Sequence, residues 1–178
     1  RRASVPPWPI RISRNSLAAL SGPVRRDPTE RTGVAEGTTR MVSSEPITVS
    51  PQCFAVLEIP LLRGRGFQAT EPQRVGIVSA GLARQLFGDA DPIGRRVHMG
   101  LPSGDLFTIV GIAGNIRNTS LASSYARQMW LPSSGGLYTP RQLVVRTSVA
   151  PAPLTGAIRA AIREIGFGNL GIAEQILR

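Results

Sequence analysis

The stretch Ile47–Phe67, ITVSPQCFAVLEIPLLRGRGF, couples a strand-like run to a helix start and then to a turn built on two glycines. Ser50 suits a helix N-cap, and Pro51 suits the first helical turn, where its missing N–H has no partner to lose. Phe54 and Leu57, three apart, then share one face. Gly64 and Gly66 allow backbone angles that other residues avoid, and a positive φ at Gly64 would make any Cβ unfavourable there. No catalytic set accompanies these residues. The stretch has the character of a rigid structural module.

Patterning on either side extends it. Residues 1–40 are rich in Pro, Arg, Ser and Gly with little periodicity, and are expected to be loop or weakly ordered chain, with at most a short amphipathic piece around Ser16–Leu20. Arg40–Val49 forms an expected strand, edge-placed or bent because of Pro46. A helix is expected over Pro51–Leu57 and a buried strand over Val75–Val78. Ser79 is the expected N-cap of a helix over Ala80–Phe87, with Leu82 and Leu86 four apart and Gly88 as the stop. Asp89–Arg96, DADPIGRR, is turn chemistry. Arg95–Met99 and Leu106–Ala113 are expected to form a hairpin around Pro102–Asp105. Leu106–Ala113, apolar on both faces, is expected to be central. Further strands are expected at Gln128–Leu131 and Gln142–Thr147, and a helix at Pro153–Ile165. Gly171–Leu177 is a last strand or an approach to another segment.

Composition excludes several functions. The chain of 178 residues has no lysine, so all 21 of its basic residues are Arg. A phosphate-binding loop of the Gly-Lys-Ser/Thr type therefore cannot form, nor can a lysine Schiff base. Cys53 and His98 are the only cysteine and histidine, which rules out an internal disulfide and the usual Cys/His zinc sites. No apolar run approaches the roughly 20 residues of a membrane-spanning helix, and no signal-peptide pattern is present. Residues 1–40 carry eight Arg against three acids. The other 138 carry thirteen against eight, so each part contributes +5. The excess is concentrated near the N-terminus, without the interleaved aromatics of a nucleic-acid stripe.

Four groupings could still carry chemistry. Cys53 as nucleophile with His98 as base would make a hydrolase, but a cysteine beside Phe54 in a short helix behaves as a small apolar residue. Asp89 and Asp91 could pair as acid and base or bind a cation, although carboxylates in such a turn usually cap backbone N–H groups. Gly111–Gly114 follows a strand as in a dinucleotide loop, yet lacks the helix and the later acid; it is taken as a strand approached closely by other backbone. Arg63–Gly66 could hold an anion, or make a tight crossing turn with its Arg heads solvated or bonded to carbonyls.

In order along the chain, these segments resemble the extracytoplasmic core domain of MacB-like ABC transporter permeases. The residues that carry the resemblance are Val49-Ser50-Pro51 with Phe54, Leu61–Arg65 with Phe67, Val75–Val78, Leu82–Arg84, Leu86–Gly88, Asp91–Arg96 including Pro92 and Gly94, Phe107–Ile112 including Gly111, Leu131-Pro132 and Val144–Thr147. The resemblance runs from Ile47 to about Ile165. Gln52 and Cys53 depart from it, standing where the family usually has a small or polar residue and Tyr.

The resemblance implies an α+β fold with a porter-like βαβ lobe drawn from both chain ends and an inserted β-rich lobe. The domain would occupy residues 41–178, with the porter-like lobe at about 41–88 and 141–178, the inserted lobe at about 89–140, and residues 1–40 poorly ordered or degraded. It implies a domain with no active site, metal or cofactor, placed outside the cytoplasmic membrane of a bacterium. Such a domain relays motion or contacts substrate and partners during export, while a separate domain or subunit hydrolyses ATP. The implied partners are the permease's membrane helices and its ATPase, with a second copy and a periplasmic adaptor as further candidates, and no nucleic acid. Two other classes stay open on the residues alone: a basic nucleic-acid-binding module and a small Cys/His hydrolase.

Overall fold

The computed structural model describes residues 17–21, 32–37, 41–71, 74–99, 104–116, 127–133 and 142–146, with 154, 156 and 158. Among them ten strands form one mixed sheet. In chain order the elements are β1 (Leu17–Ser21), β2 (Thr32–Ala35), β3 (Met41–Ser43), β4 (Glu45–Val49), α1 (Cys53–Val56), β5 (Leu61–Gly64), β6 (Val75–Ser79), α2 (Ala80–Phe87), β7 (Arg96–Met99), β8 (Leu106–Ala113), β9 (Gln128–Pro132) and β10 (Gln142–Val145). Across the sheet the order is β10-β1-β4-β9-β6-β8-β7-β2-β3, with β5 also on β8. The pairs β4–β9 and β6–β8 are parallel and the rest antiparallel.

The sheet buries both faces. On β6 and β9 successive residues alternate between two apolar clusters. Val78, Met129 and Leu131 join Leu82, Ala83 and Leu86 of α2. Ile77 and Trp130 join Cys53, Phe54 and Val56 of α1. This is the period-two alternation of a strand, with a helix covering each face. On β8 the alternation is broken once. Phe107 and Ile109 lie in the α2 cluster, and so does Ile112, three residues on rather than two. The register against β6 shifts there, Gly76 opposing Ile109 but Ile77 opposing Gly111. Val110 is thus the extra residue of a bulge, which re-aims the strand beyond it.

The β6–α2 unit forms as its local signals require. Ser79 Oγ accepts the N–H of Leu82 at 3.3 Å, and Gly88, at φ +61, donates to the Arg84 carbonyl at 2.8 Å. The β7–β8 hairpin and the central place of β8 also match the sequence reading, with β6 on one side and β7 and β5 on the other.

Four expectations need correction. The segment before Met41 supplies strands rather than only loop, because β1 pairs with β4 and β10, and β2 with β3 and β7. The run Arg40–Val49 is two strands divided at Ser44. Its second half, β4, lies inside the sheet, and β1 reaches only as far as Thr48, so Pro46 withholds no ladder bond from it. Helix α1 starts at Cys53 with Gln52 at the N-cap, later than Ser50 and Pro51 suggest, and Ser50 contributes its carbonyl to the Cys53 N–H at 3.0 Å. The division into a lobe from the chain ends and an inserted lobe is not a break in this sheet, since β8 bonds directly to β6, β9 to β4 and β6, and β7 to β8 and β2. Of the helix expected over 153–165 only three positions are described, two of them helical, and the segment 171–177 lies outside the described residues.

Ile109 is 1% exposed on the central strand. Ile109→Ala is expected to cost on the order of 2–4 kcal/mol, the loss of burial plus a cavity. Urea unfolding of the two proteins measures it, and an unchanged midpoint would contradict this placement.

Candidate functional site

Three motifs converge on the β8 bulge. Strand β5 pairs antiparallel with β8 beside it, so closely at Gly64 and Gly111 that a Cβ is excluded at both. A Cβ on Gly64, at φ +73, would stand 2.3 Å from the Val110 carbonyl oxygen, and one on Gly111 would stand 2.4 Å from the Arg65 carbonyl oxygen. The Arg65 N–H donates to the Val110 carbonyl at 3.0 Å. From beside it the Asp91–Arg95 turn also holds β8. Gly94, at φ +80, donates to the Ile109 carbonyl at 2.8 Å, and the Ile109 N–H donates to the Arg95 carbonyl at 2.8 Å. Pro92 is buried in that turn. Asp91 accepts the Ile93 N–H at 3.1 Å and pairs with Arg63 at 2.8 Å, joining the turn to β5. Gly114 lies against Pro60, and its N–H donates to the Pro60 carbonyl at 2.8 Å. The glycines of Gly111–Gly114 thus serve close approach of backbone, not a nucleotide.

The Arg heads here are partly exposed, and Arg65 bonds to a carbonyl, as expected from the sequence; the addition is that both are also paired with carboxylates. Arg65 reaches both oxygens of Glu71, Nη1 to Oε2 at 2.9 Å and Nη2 to Oε1 at 2.6 Å, while Nη1 also donates to the Gly66 carbonyl at 3.1 Å. The Glu71 side chain is 0% exposed and that of Arg65 is 45% exposed. The Gln68 N–H donates to Glu71 Oε2 at 2.7 Å. The Arg65 hydrogen bond holds the Glu71 carboxyl below the usual glutamate range, against the opposing effect of burial, with help from the Gln68 N–H. Between these two residues Phe67 turns inward against Phe54, centroids 6.0 Å apart, and Phe54 meets Trp130 edge-on at 5.4 Å. Glu71 was not legible as a partner from sequence; its only signal was an acid six residues beyond Arg65 in a loop.

Arg146, which follows β10, was also missed as a contact. Its Nε donates to the Val56 carbonyl at 2.8 Å and its Nη1 to Glu58 Oε1 at 2.5 Å. Glu58 has φ +54, so the clasp holds the turn after α1 at a backbone angle that L-residues seldom adopt.

The catalytic groupings do not assemble. Cys53 is buried among Val49, Phe54 and Trp130, and burial pushes its thiol up to about 12, so it carries no thiolate at neutral pH. His98 lies on β7, beyond β8, with Nδ1 3.1 Å from the Gly104 carbonyl. Asp91 is a turn cap and ion-pair partner, and Asp89 is exposed. Among the described residues no group of three His, Cys, Asp or Glu could hold a metal.

A family model described as the MacB-like periplasmic core domain matches residues 6–165. The chain belongs to that family. The match begins well before Ile47, where the sequence resemblance started, and so takes in β1 and β2. No curated protein matches the chain. Solved structures of similar fold include the periplasmic region of MacB from Actinobacillus actinomycetemcomitans, at TM-score 0.60 and 13% identity, covering 86% of this chain and 68% of that one. The extracellular domain of the noncanonic ABC-type transporter YknZ from Gram-positive bacteria aligns at 0.58 and 18%, covering 85% and 76%. A domain of a putative permease protein from Porphyromonas gingivalis aligns at 0.55 and 18%, covering 84% and 68%. At these identities the likeness is one of fold. The MacB-like family places the chain as the extracytoplasmic domain of an ABC transporter permease, a non-catalytic part of a machine that also has membrane helices and an ATPase. Among the described residues no helix is long and apolar enough to cross a membrane.

A carboxylate favoured more in the folded than in the unfolded MacB-like domain stabilises it fully above the unfolded value, and that contribution disappears as pH falls through the lower folded value. The stability gap between the native chain and Glu71→Gln is therefore expected to narrow as the pH falls below the unfolded glutamate value of about 4.3. Denaturant unfolding at several pH values measures it. A gap that stays constant or widens toward acid would contradict the Arg65–Glu71 assignment.

Proposed function

We propose that this domain relays conformational change between the permease's membrane helices and the substrate or partners it meets outside the membrane during export. One observation carries the reading. Strands β1 and β10 are antiparallel neighbours, with Leu17 opposite Val145 and Leu20 opposite Gln142. The chain therefore comes into β1 beside the point where it leaves β10, as a domain set between two membrane helices requires. Movement of those helices would bear on this edge of the sheet.

Two connections lead inward from it. One is the β1–β4 ladder at Leu20–Val49 and Ser21–Thr48. The other is Arg146, directly after β10, which grips the end of α1 through Val56 and Glu58. From α1, Phe54 packs on Phe67 and Trp130, so displacement at the edge reaches the sheet and the β5–β8 pairing through packed side chains. ATP hydrolysis belongs to a separate nucleotide-binding domain, since this chain has no lysine for a phosphate-binding loop. A second copy of the domain and a periplasmic adaptor are the partners this reading brings with it.

Hydrogen exchange on the intact permease with its ATPase tests the relay. Binding of an unhydrolysable ATP analogue is expected to change exchange at β1 and β10 amides by at least about threefold. Identical exchange across β1, β4 and β10 in both nucleotide states would refute it.

A further inference from the structure

The eight described arginines divide into two groups. Arg63, Arg65, Arg74, Arg96 and Arg146 each pair with a carboxylate. Arg84, Arg95 and Arg127 form none of these ion pairs, and all three meet at the last turn of α2. Arg84 is exposed on the helix itself. The Arg95 guanidinium lies 5.9 Å from the centroid of Phe87. Arg127 Nη1 donates to Gln85 Oε1 at 3.2 Å. At about 100° per residue, Phe87 and Gln85 fall on opposite flanks of the helix, and Arg84 lies between them on the side away from buried Leu82 and Leu86. The three cations therefore form a row across the outer side of α2. Asp89, just beyond the helix, is exposed and joins none of the five ion pairs among the described residues.

We infer that this row is a docking surface for an acidic segment of a partner protein. The inference rests on the relay reading above and specifies the chemistry of one contact. Charge complementarity identifies the occupant. Where a carboxylate is within reach elsewhere on the described surface, the arginines take it; here three guanidinium groups have no carboxylate partner among the described residues, although Arg127 spends one N–H on Gln85, and guanidinium groups match carboxylates in a two-pronged geometry. A lipid surface fits less well. Clusters that bind anionic lipid carry about four to eight basic residues, and this one has three among the described residues. Among those residues it also lacks an apolar side chain to insert, since Phe87 is half-buried under Arg95. The large exposed apolar side chains of the described part, Leu61 and Leu62, are on β5.

The test uses a fluorescent twelve-residue peptide of alternating Glu and Ser, whose carboxylates repeat about every 7 Å on one side of an extended chain, and phosphatidylglycerol vesicles as the second probe. Fluorescence anisotropy with the 178-residue chain is expected to show Kd rising at least about threefold in Arg84→Gln and in Arg127→Gln, and at least about tenfold when Arg95→Gln is added to both. Arg74→Gln and Arg96→Gln remove the same charge from ion-paired sites and are expected to change Kd less than about twofold. Thermal melts confirm that each variant is folded, and exposed Arg84→Gln carries the test alone if the triple variant is not. Equal weakening in the control variants would reduce the effect to net charge and overturn the proposal. So would vesicle binding without peptide binding, or binding of neither probe. If the proposal fails while the nucleotide-dependent exchange is seen, the relay stands without this partner; if the exchange is absent while the row binds, the relay is what fails.

Discussion

The close antiparallel pairing of β5 with β8 at the bulge is the constraint on which the rest of the domain depends. Backbone lies against backbone at Gly64 and Gly111, with no room for a Cβ at either. The close approach brings the Arg65 N–H to the Val110 carbonyl and sets the direction in which the chain leaves toward Phe67. Phe67 then packs on Phe54, and Phe54 on Trp130, tying α1 to the middle of the sheet. On the same edge of β8, beside β5, the Asp91–Arg95 turn bonds to Ile109. The bulge also returns Ile112 to the α2 cluster that holds Phe107 and Ile109.

Electrostatics secures this arrangement and bears on function. Glu71 tolerates burial because two Arg65 donors and one backbone N–H satisfy it. The described residues hold eight arginines and seven carboxylates, so nearly all of the chain's +10 lies on residues outside them. With five of those arginines ion-paired, the described surface has no continuous basic track of the kind that follows a nucleic-acid backbone. The hydrolase alternative loses its nucleophile to burial at Cys53. A domain whose described residues assemble no catalytic set fits a permease's extracytoplasmic domain.

Local signals were legible and distant ones were not. The α2 helix could be read from Ser79, Leu82, Leu86 and Gly88 because cap, face and stop all lie within ten residues. The β7–β8 hairpin could be read because its partners are adjacent in sequence. Strands β1 and β2 could not, because their own composition is that of a loop and β4, β10 and β7 lie farther along the chain, although β3 follows β2 closely. The interior position of β4 was hidden in the same way, since its parallel partner β9 is about eighty residues away. At the site, the glycines of the β5–β8 pairing were visible as a backbone requirement. The carboxylate that binds Arg65 and the two contacts of Arg146 were not, because an ion pair between loops leaves no periodicity.

The rigidity of the β5–β8 pairing is tested most directly by comparing two glycines of similar backbone angle. Gly64 has φ +73 with backbone 2.3 Å from a Cβ, while Gly94 has φ +80 with nothing within 4 Å. Gly94→Ala carries only the backbone penalty, about 1 kcal/mol, whereas Gly64→Ala must also displace the Val110 carbonyl and is expected to cost at least about 2 kcal/mol more. Equilibrium unfolding in urea measures both. A Gly64→Ala loss no larger than that of Gly94→Ala would mean that β5 has room to shift beside β8, and the account of a fixed pairing would be wrong.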